Sequence, residues 1–220
     1  MINRLPVWIL AGSVMLALNA GFINSVALLS FANNAVSHVT GTATIAADAL
    51  SRADWTVLEQ TGGIVLSFLI GAILSGVIIG NEALRMGRRY GVALLLESAL
   101  LLAAWYGFTH GGYHAEWLAS AACGLQNAMV ATYSGSVIRT THLTGIVSDI
   151  GSALGNFVAG RGLAKMQLKL QMSVFLAFIA GAAAGAVVFR GYAYDAVLVN
   201  ALWVLLAALA YALLWVRTPR

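Results

Sequence analysis

Two four-residue motifs are the chain's clearest candidates for chemistry: His38-Val39-Thr40-Gly41 and His142-Leu143-Thr144-Gly145. Each follows an asparagine in an apolar stretch, Asn24 in Gly21-Phe22-Ile23-Asn24-Ser25 and Asn127 in Gly124-Leu125-Gln126-Asn127-Ala128. The asparagines are 103 residues apart (127 − 24) and the histidines 104 (142 − 38), so the chain reads as a duplicated unit. An imidazole titrates near neutral pH. Thr40 and Thr144 are placed to cap a helix start, and Gly41 and Gly145 permit close approach of a ligand or a second backbone. A helix start presents free N–H groups and a partial positive charge, which suits an anion or a polar solute. Thr44 and Ser148 stand one turn further along the same faces. The chemistry expected of these groups is solute recognition.

Four charged residues lie at apparent membrane depth, where an ionisable group is a functional candidate by default. Glu97 follows three leucines and matches Asn200 in the second copy, again 103 residues on. With Asp48 and Asp149 it is a candidate carrier of a coupling proton; the competing readings are a buried structural hydrogen-bonder for Glu97 and a wet helix end for Asp48. Arg139 has Ala35 as its counterpart. It can pair with Asp149 or Glu97, receive an anionic solute, or mark the cytoplasmic end of a span. His38 and His142 are either solute contacts or histidines bonded to neighbouring carbonyls. Asn24 and Asn127 either tie the motifs in place or touch solute. No metal-ligand spacing surrounds the histidines, and no serine–histidine, paired-aspartate or His-Glu-x-x-His arrangement is present, so neither an enzyme nor a cofactor is expected.

Composition says where these residues sit. Hydrophobic residues make up 60% of the 220, charged residues 9%, and the mean hydropathy is +0.86. Soluble domains carry about 25% charged residues. Nearly the whole chain is therefore intramembrane, with no room for a soluble catalytic domain. The net charge of +4 is no nucleic-acid signal, because the basic residues sit in short loops. The single Cys123 cannot form an internal disulfide. The N-terminal apolar run is read as a span, not a signal peptide, since it has a full counterpart in the second copy.

Six spans are expected, at about 6–31, 60–80, 91–109, 116–138, 170–189 and 196–216, with two short segments, about 36–50 and 140–159, too brief to cross. Each short segment is read as extended residues followed by a half-helix. If neither crosses, Arg4, the Arg85/Arg88/Arg89 loop, the Arg161/Lys165/Lys169 loop and the Arg217/Arg220 end fall on one side, as the positive-inside rule asks, with both termini cytoplasmic. Three crossings per copy make the halves, 1–110 and 111–220, an inverted pair whose half-helix starts meet near the midplane. The small-x-x-x-small pairs Gly71/Ser75 and Gly181/Gly185 are read as close helix contacts. Trp8, Trp55, Trp117, Trp203 and Trp215 are read as interface anchors.

Gly124-Leu125-Gln126-Asn127 followed by Arg139-Thr140-Thr141-x-x-Thr144-Gly145 resembles the signature of the YoaK-like family of small bacterial integral membrane proteins. Gly21-Phe22-Ile23-Asn24 and Thr40-Gly41-Thr42 resemble its first motif. The likeness spans most of the chain. The chain departs from the family pattern at Asn24, where an acidic residue is common, and at His38 and His142. The resemblance implies a multi-span protein of the bacterial inner membrane and supplies no substrate or reaction.

The sequence thus leads to an all-α polytopic membrane protein: six transmembrane helices and two re-entrant half-helices in an inverted 3+3 repeat. The function expected is a small secondary transporter or channel-like permease for an anion or small polar solute, with proton coupling a candidate. Its site comprises Thr40, Gly41, Thr144, Gly145, Asn24, Asn127, His38, His142 and Arg139. Its partners are the bilayer, the solute and a second copy of the chain. The alternative is a non-transporting scaffold or accessory subunit.

Overall fold

The computed structural model describes residues 7–30, 35–80, 87–112, 114–134 and 138–217. Arg4, Arg85 and Arg220 lie outside them, as do the side chains of Trp8, Trp215 and Arg217. The described residues are all helix and connection, without strands. Eight helices follow in order: α1 (Val7–Leu28), α2 (Val39–Ser51), α3 (Trp55–Ile79), α4 (Arg88–Thr109), α5 (Ala115–Tyr133), α6 (Leu143–Val158), α7 (Lys165–Tyr192) and α8 (Asp195–Arg217).

Five of them, α1, α3, α4, α7 and α8, are long and apolar enough to cross a membrane. The chain is a multi-pass membrane protein. The fourth expected span falls on α5, which has 19 residues but carries Glu116, Ser120, Gln126 and Asn127. Neighbouring helices cover it: Ala119, Ser120, Leu125 and Gln126 are all buried. A helix shielded from lipid can carry polar groups that a lipid-facing one cannot. The two short segments appear as α2 and α6, with 13 and 16 residues. At 1.5 Å per residue these reach about 20 and 24 Å, short of a hydrocarbon core of about 30 Å. Helices α3 and α7 begin at Trp55 and Lys165, each five residues before the expected start of its span. For α3 the reason is visible: Asp54 accepts a hydrogen bond from the Val57 N–H (3.2 Å) and caps a first turn that apolarity alone does not mark.

The long helices pack in pairs that are distant in sequence. Helix α1 packs along α7, and α5 packs along α3. Both contacts are backbone-close. A Cβ on Gly21 would collide with the Phe178 carbonyl, and one on Gly181 with that of Leu18. The second crossing repeats this: Gly124 meets the Phe68 carbonyl and Gly71 that of Ala121. Moving from the first crossing to the second shifts Leu18 and Gly21 by 103, and shifts Phe178 and Gly181 by −110. The expected small-residue stripes therefore lie at intramolecular crossings. Trp117 also departs from expectation. Its ring lies over Gly63, and its Nε1 donates to the Gln60 carbonyl (3.2 Å), so it joins α5 to α3 inside the bundle. Trp55 and Trp203 are exposed, as interface anchors would be.

Replacing Gly181 with Val puts methyl groups against backbone that cannot retreat. Overpacking of this kind costs about 1–3 kcal/mol, often more against a main chain. The expected result is a lower melting temperature in detergent for Gly181→Val and for Gly71→Val. Gly62→Ala, where a Cβ meets nothing within 4 Å, should not lower it.

Candidate functional site

The extended residues before α2 and α6 are held by the two asparagines. Asn24 Oδ1 accepts from the Ser37 N–H (3.1 Å) and the Ser37 hydroxyl (2.8 Å). Asn127 Oδ1 accepts from the Thr141 N–H (3.3 Å). In both copies a side chain from a long helix satisfies a main-chain donor that the broken helix cannot. The asparagines therefore have the tying role.

His38 and His142 are the N-cap residues, with nearly the same backbone angles (φ −95°, ψ 59° and φ −90°, ψ 57°). Neither helix start has a side-chain cap. Thr40 and Thr144 lie inside the first turn, so the expectation that they cap is corrected. Their carbonyls accept from Thr44 and Ser148, each at 2.9 Å. The glycines have a clear steric role: each histidine ring folds over the glycine three residues on, where a Cβ on Gly41 or Gly145 would collide with it.

The two breaks share a cavity of about 180 Å³. Ser37, His38, Val39 and Thr40 line it from one side; Arg139, Thr141, His142, Leu143 and Thr144 line it from the other, with Phe68 and Asn127 completing it. Gly41 is not among those residues, and Gly145 lines a second cavity of about 380 Å³ between the second break, α6 and α7. Arg139 and His142 belong to both cavities. Asp149, Gln167 and Gln171 supply the polar part of the larger one; Ile138, Ile146, Leu170 and Val174 supply its apolar wall. Arg139 makes no hydrogen bond or ion pair among the described residues, so its pairing with Asp149 or Glu97 is not realised. Asp149 accepts instead from Gln171 Nε2 (2.8 Å).

The other acidic candidates are dispersed. Asp48 forms an exposed ion pair with Arg52 at the end of α2. Glu97 is buried in α4, and its Oε1 accepts from Asn19 Nδ2 (3.1 Å). Asn19 also donates to Gln126 Oε1 (2.9 Å), and Gln126 Nε2 donates to the Thr140 hydroxyl (3.1 Å) and the Leu16 carbonyl (2.9 Å). Asn200 Nδ2 donates to Asn19 Oδ1 (2.8 Å). Asn19, Gln126 and Thr140 were not singled out in the sequence. The signal was available, since Asn19 is an intramembrane asparagine of the same kind as Asn24, and Gln126 precedes Asn127 in the second motif. Among the described residues no three His, Cys, Asp or Glu side chains cluster as metal ligands.

Replacing either asparagine by leucine strands a buried N–H, at a cost of about 1–3 kcal/mol. Thermal unfolding of purified protein should show destabilisation in both variants. Asn24→Leu should lose more than Asn127→Leu, because Asn24 accepts two bonds where Asn127 accepts one.

A family model described as "Protein of unknown function (DUF1275)" matches residues 12–215. No curated protein and no solved structure matches the chain.

Proposed function

The chain belongs to the DUF1275 family of proteins of unknown function, and on that premise we propose that it is a small permease for an anion or a small polar solute. The observation that carries this reading is Arg139. A guanidinium without a partner among the described residues lines a cavity shared by two helix starts that lack side-chain caps, and no carboxylate is among the lining residues. Fixed positive charge, imidazoles, hydroxyls and helix-start N–H groups around one open cavity favour a negative or strongly polar guest. The larger cavity shares Arg139 and His142, so it serves as the approach to this chamber.

In this reading α1, α3, α4, α5, α7 and α8 cross the membrane while α2 and α6 are re-entrant, giving inverted repeats with a site at their interface. The matched offsets of the two glycine crossings support it. Both termini lie in the cytoplasm of a bacterium, whose inner membrane holds the chain as a YoaK-like protein. Glu97 is the coupling acid, ahead of the ion-paired Asp48 and the Gln171-bound Asp149. A second copy of the chain completes a homodimer.

The test replaces Cys123 by alanine and introduces Thr40→Cys or Thr144→Cys singly. A membrane-impermeant thiol reagent should label each from at least one side. No labelling from either side would sink the permease reading and leave the accessory-subunit one. In proteoliposomes loaded with a panel of inorganic and organic anions, Arg139→Gln should lower anion flux roughly tenfold or more, the scale of one lost charge-assisted hydrogen bond. Arg139→Lys should retain part of it.

A further inference from the structure

We propose that Glu97 and Asn200 form a site for a monovalent coupling cation, in the first instance a proton, and that Asn19 and Gln126 pass its occupancy to the second break. The inference rests on the reading of Glu97 as the coupling acid and adds a partner, a route and a destination.

Glu97 on α4 and Asn200 on α8 are counterparts in the two copies, and each is no more than 2% exposed. Both bind the amide of Asn19: Asn19 Nδ2 donates to Glu97 Oε1, and Asn200 Nδ2 donates to Asn19 Oδ1. This leaves Glu97 Oε2 and Asn200 Oδ1 buried with no hydrogen-bond partner among the described residues. Two unmatched acceptors are thus held beside one amide. A buried acceptor without a donor is unfavourable. A proton on the Glu97 carboxyl supplies a donor, and a small cation would find an unpartnered oxygen on each side chain. The proton comes from water and returns to it, and no other bond is made or broken.

The same Asn19 amide gives the site its output. Asn19 Nδ2 is shared between Glu97 Oε1 (3.1 Å) and Gln126 Oε1 (2.9 Å), and Gln126 Nε2 reaches the Thr140 hydroxyl. Thr140 lies next to Arg139, the unpaired cation of the central cavity. A carboxylate holds a shared donor more strongly than a neutral carboxyl does. Loading Glu97 therefore shifts Asn19 toward Gln126 and resets the anchor of Thr140. The first break has no such line, since Ile23 stands in place of Gln126 and Ala122 in place of Asn19. Among the groups around Glu97, α1 brings Asn19, α8 Asn200, and α5 Gln126 and the buried Cys123 thiol, none of which carries a charge.

The experiment is hydrogen–deuterium exchange in detergent, read as the ratio of exchange in a peptide covering 138–146 to one covering 35–42. The ratio cancels the chemical pH dependence of exchange. Between about pH 5 and about pH 9 it should change roughly fivefold or more, the lower range of a coupling free energy between sites. It should be flat in Glu97→Gln and in Gln126→Met, each checked for folding by size exclusion. A change on replacing choline by sodium at fixed alkaline pH, without a pH response, assigns the site to sodium. A ratio in the wild type that responds to neither cation overturns the proposal, as does a pH response that survives Glu97→Gln. No solute is needed for this readout. Failed solute flux with an intact shift overturns only the permease reading, and a flat ratio with intact flux overturns only this one.

Discussion

Two main-chain N–H groups, those of Ser37 and Thr141, are held by the amide oxygens of Asn24 and Asn127, and the architecture of the site depends on those bonds. In a membrane, backbone that leaves the helix must find partners inside the protein. The asparagines provide them from α1 and α5. The first break gains more support from Ser120, whose hydroxyl donates to the Val36 carbonyl (3.0 Å) and the Ile64 carbonyl (2.8 Å). The second gains it from Ser134, which accepts from the Ile138 N–H (3.0 Å). With the extended residues anchored, α2 and α6 can start in mid-bundle and leave their first turns free of side-chain caps.

The anchors work only if the long helices are close enough to cover what the breaks expose. That closeness comes from glycine. At Gly21, Gly181, Gly71 and Gly124 main chain touches main chain, and the contacts join α1 to α7 and α3 to α5, each across the two copies. Crossing over brings both breaks to one cavity, so that Thr40 and Thr144 line the same space although they are 104 residues apart. Packing thereby converts a repeat in sequence into a shared chamber.

Much of this was legible in the chain. The brevity of the two segments marked the short helices α2 and α6, and the recurring asparagine and His-x-Thr-Gly motifs marked two helix starts of nearly the same form. The position of Arg139 beside the second motif gave the charge. What was not legible follows from three-dimensional packing. Trp117 carries the composition of an interface anchor, and only the space over Gly63 shows why it points inward. The threonines look like caps because Thr favours that position; the helices start two residues earlier, with the histidines as N-caps, where each ring needs a glycine beneath it. Asn19 and Gln126 lie 107 residues apart and share no motif, so their meeting at 2.9 Å has no local signature.

The two halves keep the geometry in common and diverge in chemistry. The tying asparagines, the ring-over-glycine starts and the close crossings are present twice. Arg139 faces Ala35, Gln126 faces Ile23, Asn19 faces Ala122 and Glu97 faces Asn200. Three of those four differences place a polar or charged group in one copy where the other has an apolar side chain, and the fourth replaces an acid by its neutral amide. Three of the four are joined by hydrogen bonds: Glu97 and Asn200 bind Asn19, and Asn19 binds Gln126, which binds Thr140, the sequence neighbour of Arg139. Divergence scattered at random over buried positions would leave unmatched polar groups throughout the bundle, each of them unfavourable. Here Glu97, Asn200, Asn19 and Gln126 are joined in one network, and among the described residues its unmatched atoms are Glu97 Oε2 and Asn200 Oδ1. The first break is held by Asn24 and Ser120, while the second is held by Asn127 and Ser134 and is joined through Thr140, Gln126 and Asn19 to the buried carboxyl of Glu97.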